Sequence, residues 1–153
     1  MTMSDKEFRE QKRRIMPFID LAKRVLWVNS WEKTFYWVRG FKDGGRNVIA
    51  ECATQWEYLQ FTVTFYLGKV AEISDDDLKD TVLHEFIHAM VAEMREWRRA
   101  PIDCSDELEE AAVQHEERVV TLLTRSILAA IALGESKTRR KAPRLPPAED
   151  PGD

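Results

Sequence analysis

The chain has 153 residues, 44 % of them hydrophobic and 33 % charged, and a formal net charge of −4. This is enough apolar content for one domain with its own core, and the acidic balance argues against general affinity for nucleic acid. No apolar run reaches the about 18 residues of a membrane span, the charged N-terminus has no apolar signal core, and Cys52 and Cys104 form no C-x-x-C pair. A reduced, cytoplasmic protein is the simplest expectation, with one Cys52–Cys104 bridge as the alternative.

Ser4 or Asp5 caps a first helix running to about Leu26, with Phe8, Ile15, Phe18, Ile19, Ala22 and Val25 as its apolar stripe and Pro17 kinking or dividing it. Its basic residues Lys12, Arg13, Arg14, Lys23 and Arg24 are interleaved with Glu7, Glu10 and Asp20, which reads as a solvated face rather than an anion-binding patch. From Trp31 to Phe41 aromatic and β-branched residues predict a strand, followed by a turn at Asp43-Gly44-Gly45. Val48 to Thr54 reads as a second strand. Phe61 to Leu67 reads as a third, with Phe61, Val63, Phe65 and Leu67 alternating against Thr62, Thr64 and Tyr66. The stretch from Ala53 to Gln60 has no clear period. Trp27, Trp31 and Trp37 are expected to pack in the core rather than form a binding platform.

Ser74 then offers a cap, and Asp75, Asp76 and Asp77 suit the positive end of a helix dipole. The glycine and closing glutamate of a calcium-binding EF-hand loop are absent at the required spacing. The helix so begun is expected to run to about Arg99 and to be stopped by Pro101. It carries Leu83-His84-Glu85-Phe86-Ile87-His88-Ala89. His84 and His88 are four residues apart, so on a helix they share a face and can grip one cation. Glu85 points too far round to be a ligand but is near enough to take a proton from bound water, the division of labour in H-E-x-x-H zinc peptidases. Without a metal, two imidazoles and a carboxylate on this otherwise apolar helix would be costly to bury.

Ser105 caps the last predicted helix, which reaches about Leu133 and ends at Gly134. At about 100° per residue, Leu108, Ala112, Val119, Val120, Leu123, Ile127 and Ile131 fall on one face. Glu116 lies near the middle of that face, where a carboxylate needs a balancing cation. Glu116 is therefore the expected third metal ligand, with His115 and Glu117 as rivals. Residues 135–153 are basic, then proline-rich and acidic, and read as a disordered polar tail behind a domain of residues 1–134.

Taken together, His84-Glu85-Phe86-Ile87-His88-Ala89 and the later Gln114-His115-Glu116-Glu117-Arg118-Val119-Val120 resemble the minimal gluzincins, small zinc metallopeptidase-like proteins common in phages and prophages. The order of elements is similar from about Asp5 to Leu133. The resemblance implies an α+β, zincin-like fold: an N-terminal helix, a small mixed or antiparallel sheet, the H-E-x-x-H helix and a C-terminal ligand helix. It also implies that the sheet's edge strand, expected at Phe61 to Leu67, lies beside the cleft and holds an extended protein or peptide substrate. The chemistry expected is zinc-dependent peptide hydrolysis: His84, His88 and Glu116 hold Zn²⁺, Glu85 is the general base, and Tyr66, Tyr58, His115 or Arg118 donates to the oxyanion. Two other readings fit the same residues. One is a catalytically silent, zinc-stabilised binding or virion-associated protein; the other is a DNA-associated protease acting on protein-DNA crosslinks.

Overall fold

The structure is a computed structural model that describes residues 3–42, 47–99 and 106–141. It is α+β, with a small mixed sheet. The first helix, α1, spans Asp5–Leu26 and is opened by a capping box: Glu7 N–H donates to Ser4 Oγ at 3.3 Å, and Ser4 N–H donates to the Glu7 carboxylate at 2.9 Å. Pro17 does not divide it. The proline is exposed, so the carbonyl one turn earlier, deprived of its usual donor, can turn to water. Ile15, Ile19, Ala22 and Leu26, spaced at helical period, are buried, and Phe8, Phe18 and Val25 pack beside them.

The strands are β1, Glu32–Val38, β2, Ala50–Gln55, and β3, Gln60–Tyr66. Their order is β1-β3-β2, with β1 parallel and β2 antiparallel to β3. The turn expected at Asp43-Gly44-Gly45 lies outside the described residues; whatever path joins β1 to β2, the two strands are separated by β3. The strand expected at the edge is therefore central. β3 turns Phe61, Val63 and Phe65 inward, and a strand with that much apolar surface gains most when flanked on both sides. The edge beside the cleft belongs to β2. Trp31 and Trp37 pack on Phe61 and Phe65 at ring distances of 6.0 and 5.3 Å, whereas Trp27, which closes α1 with φ 57°, is 86 % exposed.

A one-turn helix, α2, Leu67–Val70, follows β3 directly. Arg14 of α1 reaches across to it. Its guanidinium donates to Val70 O at 2.9 Å, to Ile73 O at 2.5 Å and to Asp75 Oδ1 at 2.5 Å, tying α1 to the start of the next helix. That helix, α3, Asp75–Arg99, is capped by Ser74, whose Oγ accepts Asp77 N–H at 3.1 Å. Val82, Leu83, Phe86 and Ala89 are buried, and Phe86 meets Phe61 edge-on at 5.1 Å and Phe35 at 6.2 Å. This aromatic contact sets the rotation of α3 on the sheet, and with it the direction of His84, Glu85 and His88. Pro101 lies outside the described residues.

The last helix, α4, is Asp106–Lys141. It does not stop at Gly134 as expected, and residues 135–141 of the expected tail are helical; residues 142–153 lie outside the described residues. Its inward face is set by Val120 and Thr124, both buried, with Ile127, Leu128 and Ile131 packed on the core. Thr124 returns its hydroxyl to Val120 O at 2.8 Å, which lets a polar residue sit in this seam. Leu123, expected on the apolar face, is 41 % exposed.

Candidate metal centre

α3 and α4 pack beside each other at the open edge of β2 and enclose a cleft of about 680 Å³. Its lining includes His84, Glu85 and His88 from α3, Glu116 and Glu117 from α4, and Ala50, Glu51 and Cys52 from β2. The ring nitrogens Nε2 of His84 and His88 are 3.1 Å apart. Glu117 closes a triangle with them through both carboxylate oxygens, Oε2 at 3.4 Å from His84 Nε2 and Oε1 at 3.3 Å from His88 Nε2, and one donor atom from each of the three residues lies within 4.8 Å of the others. A tetrahedral ion with ligands at about 2.0–2.1 Å sets its donor atoms about 3.3–3.4 Å apart. The three residues form a group that could hold a metal ion.

Glu116 occupies a different place from the one expected. Its side chain is only 14 % exposed, in keeping with its position on the inward face, but its Oε1 lies 3.0 Å from Nδ1 of His88, the nitrogen on the far side of the ring from the triangle. Consecutive helical residues point about 100° apart, so when Glu116 looks inward Glu117, 52 % exposed, looks into the cleft. The expected third ligand is thus replaced in the metal-competent group by its neighbour. His115 and Arg118 are exposed and are not among the described residues lining the cleft.

Glu85 is 8 % exposed and meets the cleft beside the histidines. Burial raises its pKa to about 7, helped by the charges of Glu117 and Glu51 and opposed by His88 and by a hydrogen bond from the Cys52 backbone N–H. The source of that N–H follows from sheet register. Tyr66 N–H bonds Ile49 O at 3.0 Å and Glu51 lies opposite Thr64. In an antiparallel pair the bonded positions alternate, so the backbone groups of Ala50, Cys52 and Thr54 turn to the open edge. Burial also pushes the His84 imidazole below its usual pKa, with the His88 charge adding to the effect and Glu117 and Asp80 opposing it. Cys52 is a free cysteine, 3.6 Å from Thr54 Oγ1, and burial lifts its thiol to about 12; Cys104 lies outside the described residues.

Among the residues considered as oxyanion donors, Tyr66 is tied to the cleft through Glu51. Its hydroxyl donates to Glu51 Oε1 at 2.5 Å, while Lys42 pairs with the other carboxylate oxygen. Both partners hold the Glu51 carboxylate below the usual range, with Lys42 contributing more. Tyr58 is 71 % exposed on the turn before β3. Sequence reasoning missed Glu51 and Lys42. The one signal available was Glu51's place in a short strand, which does not reveal that a helix packs across that strand's edge.

No protein-family model, curated protein or solved structure matches this chain. Among the described residues no helix is long and apolar enough to cross a membrane.

Proposed function

We propose that this chain is a zinc metallopeptidase of the gluzincin type, with a zincin-like fold, that hydrolyses a peptide bond in an extended protein or peptide substrate. The observation that carries this reading is the convergence of His84 Nε2, His88 Nε2 and the Glu117 carboxylate, the nitrogens 3.1 Å apart and each 3.3–3.4 Å from a different Glu117 oxygen, beside a buried carboxylate that is not part of the group. Two imidazoles and one carboxylate leaving an open position is the usual donor set of catalytic zinc. In this reading His84, His88 and Glu117 hold the ion, which supplies Lewis acidity and lowers the pKa of water. Glu85 moves the proton. Burial raises its pKa to about 7 in the metal-free chain, and its carboxylate would accept a proton from the attacking water and return it to the leaving amine. The edge of β2 away from β3 offers the backbone groups of Ala50 and Thr54 and the carbonyl of Cys52, whose N–H serves Glu85, to an extended chain, and the cleft opens beside them.

The test is metal content and peptide hydrolysis by the full chain. Glu117→Ala is expected to weaken zinc binding by more than the about 10–100-fold typical of losing an outer hydrogen-bond partner. Glu85→Gln is expected to keep the metal and to lose about 10²–10⁴-fold in hydrolysis of an unbiased peptide library. Cleavage by Glu85→Gln at the wild-type rate removes the peptidase reading. Zinc uptake with no cleavage by any of these proteins leaves a metal-stabilised binding protein.

A further inference from the structure

We infer that Glu116 is a positioning residue that holds His88 as its Nδ1–H tautomer and so presents a bare Nε2 to the metal-competent triangle. The inference rests on the reading of that triangle as a metal site, but its core is a statement about one proton. His88 stands between two consecutive carboxylates of α4, with Glu116 Oε1 at 3.0 Å from Nδ1 and Glu117 Oε1 at 3.3 Å from Nε2. A neutral imidazole carries one N–H, and a carboxylate only accepts. Were that proton on Nε2, the lone pair of Nδ1 would face a carboxylate lone pair at 3.0 Å, between side chains that are 18 % and 14 % exposed. Little water is available there to relieve the repulsion. With the proton on Nδ1 the same contact becomes a charge-assisted hydrogen bond.

His84 provides an internal contrast. The contacts of its ring with Glu117 and with His88 both run through Nε2, and no described carboxylate lies on its Nδ1. The two histidines therefore differ in how they are prepared: His88 is fixed through Nδ1 by Glu116, and His84, whose Nε2 lies 3.1 Å from the bare Nε2 of His88 and 3.4 Å from a Glu117 oxygen, is left to donate from Nε2 in the metal-free chain. Outer carboxylates of this kind orient the ring and raise the basicity of its ligating nitrogen. The helix geometry explains why two adjacent glutamates do separate jobs, since a step of about 100° sends one to each side of the same ring.

The experiment is ¹⁵N NMR of the histidine side chains in the metal-free full chain under mildly alkaline conditions, together with zinc affinity by chelator competition, for wild type, Glu116→Gln and Glu116→Ala. In wild type, Nδ1 of His88 is expected to carry the proton. Glu116→Ala is expected to move His88 toward the Nε2–H form, to shift the His84 signals with it because the two Nε2 atoms are 3.1 Å apart, and to raise the zinc Kd by about 10–100-fold. Glu116→Gln keeps an accepting oxygen and the side-chain shape, so it is expected to retain the tautomer and lose less affinity than alanine. A wild-type His88 protonated on Nε2 overturns the inference even if no variant folds, and so does an unchanged tautomer in Glu116→Ala. Wild type that shows the Nδ1–H tautomer but takes up no zinc removes the metal reading while leaving the pair intact, so the two failures are told apart.

Discussion

Glu85 on α3 accepts a hydrogen bond from the backbone N–H of Cys52 on β2, across the junction between the metal-competent helix and the open edge of the sheet. A carboxylate 8 % exposed in that position ties the proposed general base to the strand proposed to hold substrate, so movement of one is felt by the other.

Glu85 should leave a mark on stability in the metal-free protein. Its folded-state pKa of about 7 is above the ordinary 4.5. The folded chain therefore holds this proton more tightly than the unfolded chain does. The stabilisation is fully present below about pH 4.5 and is lost as pH rises through about 7, by about 3 kcal/mol in all. Urea unfolding of metal-free wild type and Glu85→Gln at about pH 5 and about pH 8 measures it. The glutamine protein is expected to gain on wild type by about that amount across the interval. His84, lowered by burial, pulls the other way as pH falls, and because both proteins contain it the difference isolates Glu85. Parallel pH profiles would show that the carboxylate is not penalised by its surroundings.

Gly134 tests where α4 ends. A Cβ built there meets nothing within 4 Å, and the residue sits inside a helix that continues to Lys141. Gly134→Ala is expected to stabilise the protein by about 0.5–1 kcal/mol, because alanine loses less backbone entropy on entering a helix. A helix ending here in a left-handed cap would give the opposite sign, so the direction of the change in thermal unfolding decides the matter.

Arg14 sets the start of α3. Its guanidinium serves two carbonyls and Asp75 at once, with the side chain 24 % exposed. Arg14→Met keeps the stem, strands the carbonyl of Ile73 and leaves that of Val70 with only the long bond from Ile73 N–H at 3.4 Å, at an expected cost of about 1–3 kcal/mol in denaturant unfolding. Arg14→Lys should recover only part of this, since a single ammonium cannot span the three acceptors as a fork does.

The local parts of this molecule were legible in the chain alone. Ser4 and Ser74 are caps because a hydroxyl one residue before a helix meets a free N–H, and His84 and His88 share a face because four residues make about one turn. The burial of Glu116 followed from the apolar residues spaced around it. Only the folded structure decided which nitrogen it meets. The metal-competent carboxylate depends on how α4 is rotated against α3, and that angle comes from Val120 and Thr124 settling into the seam between the helices, not from any period within α4. Strand order was hidden for a similar reason. Alternation in β3 shows that one face is buried, and its pairing with β2 is local, but the parallel pairing with β1 is a contact distant in sequence, and it made β3 central and left the edge at the cleft to β2.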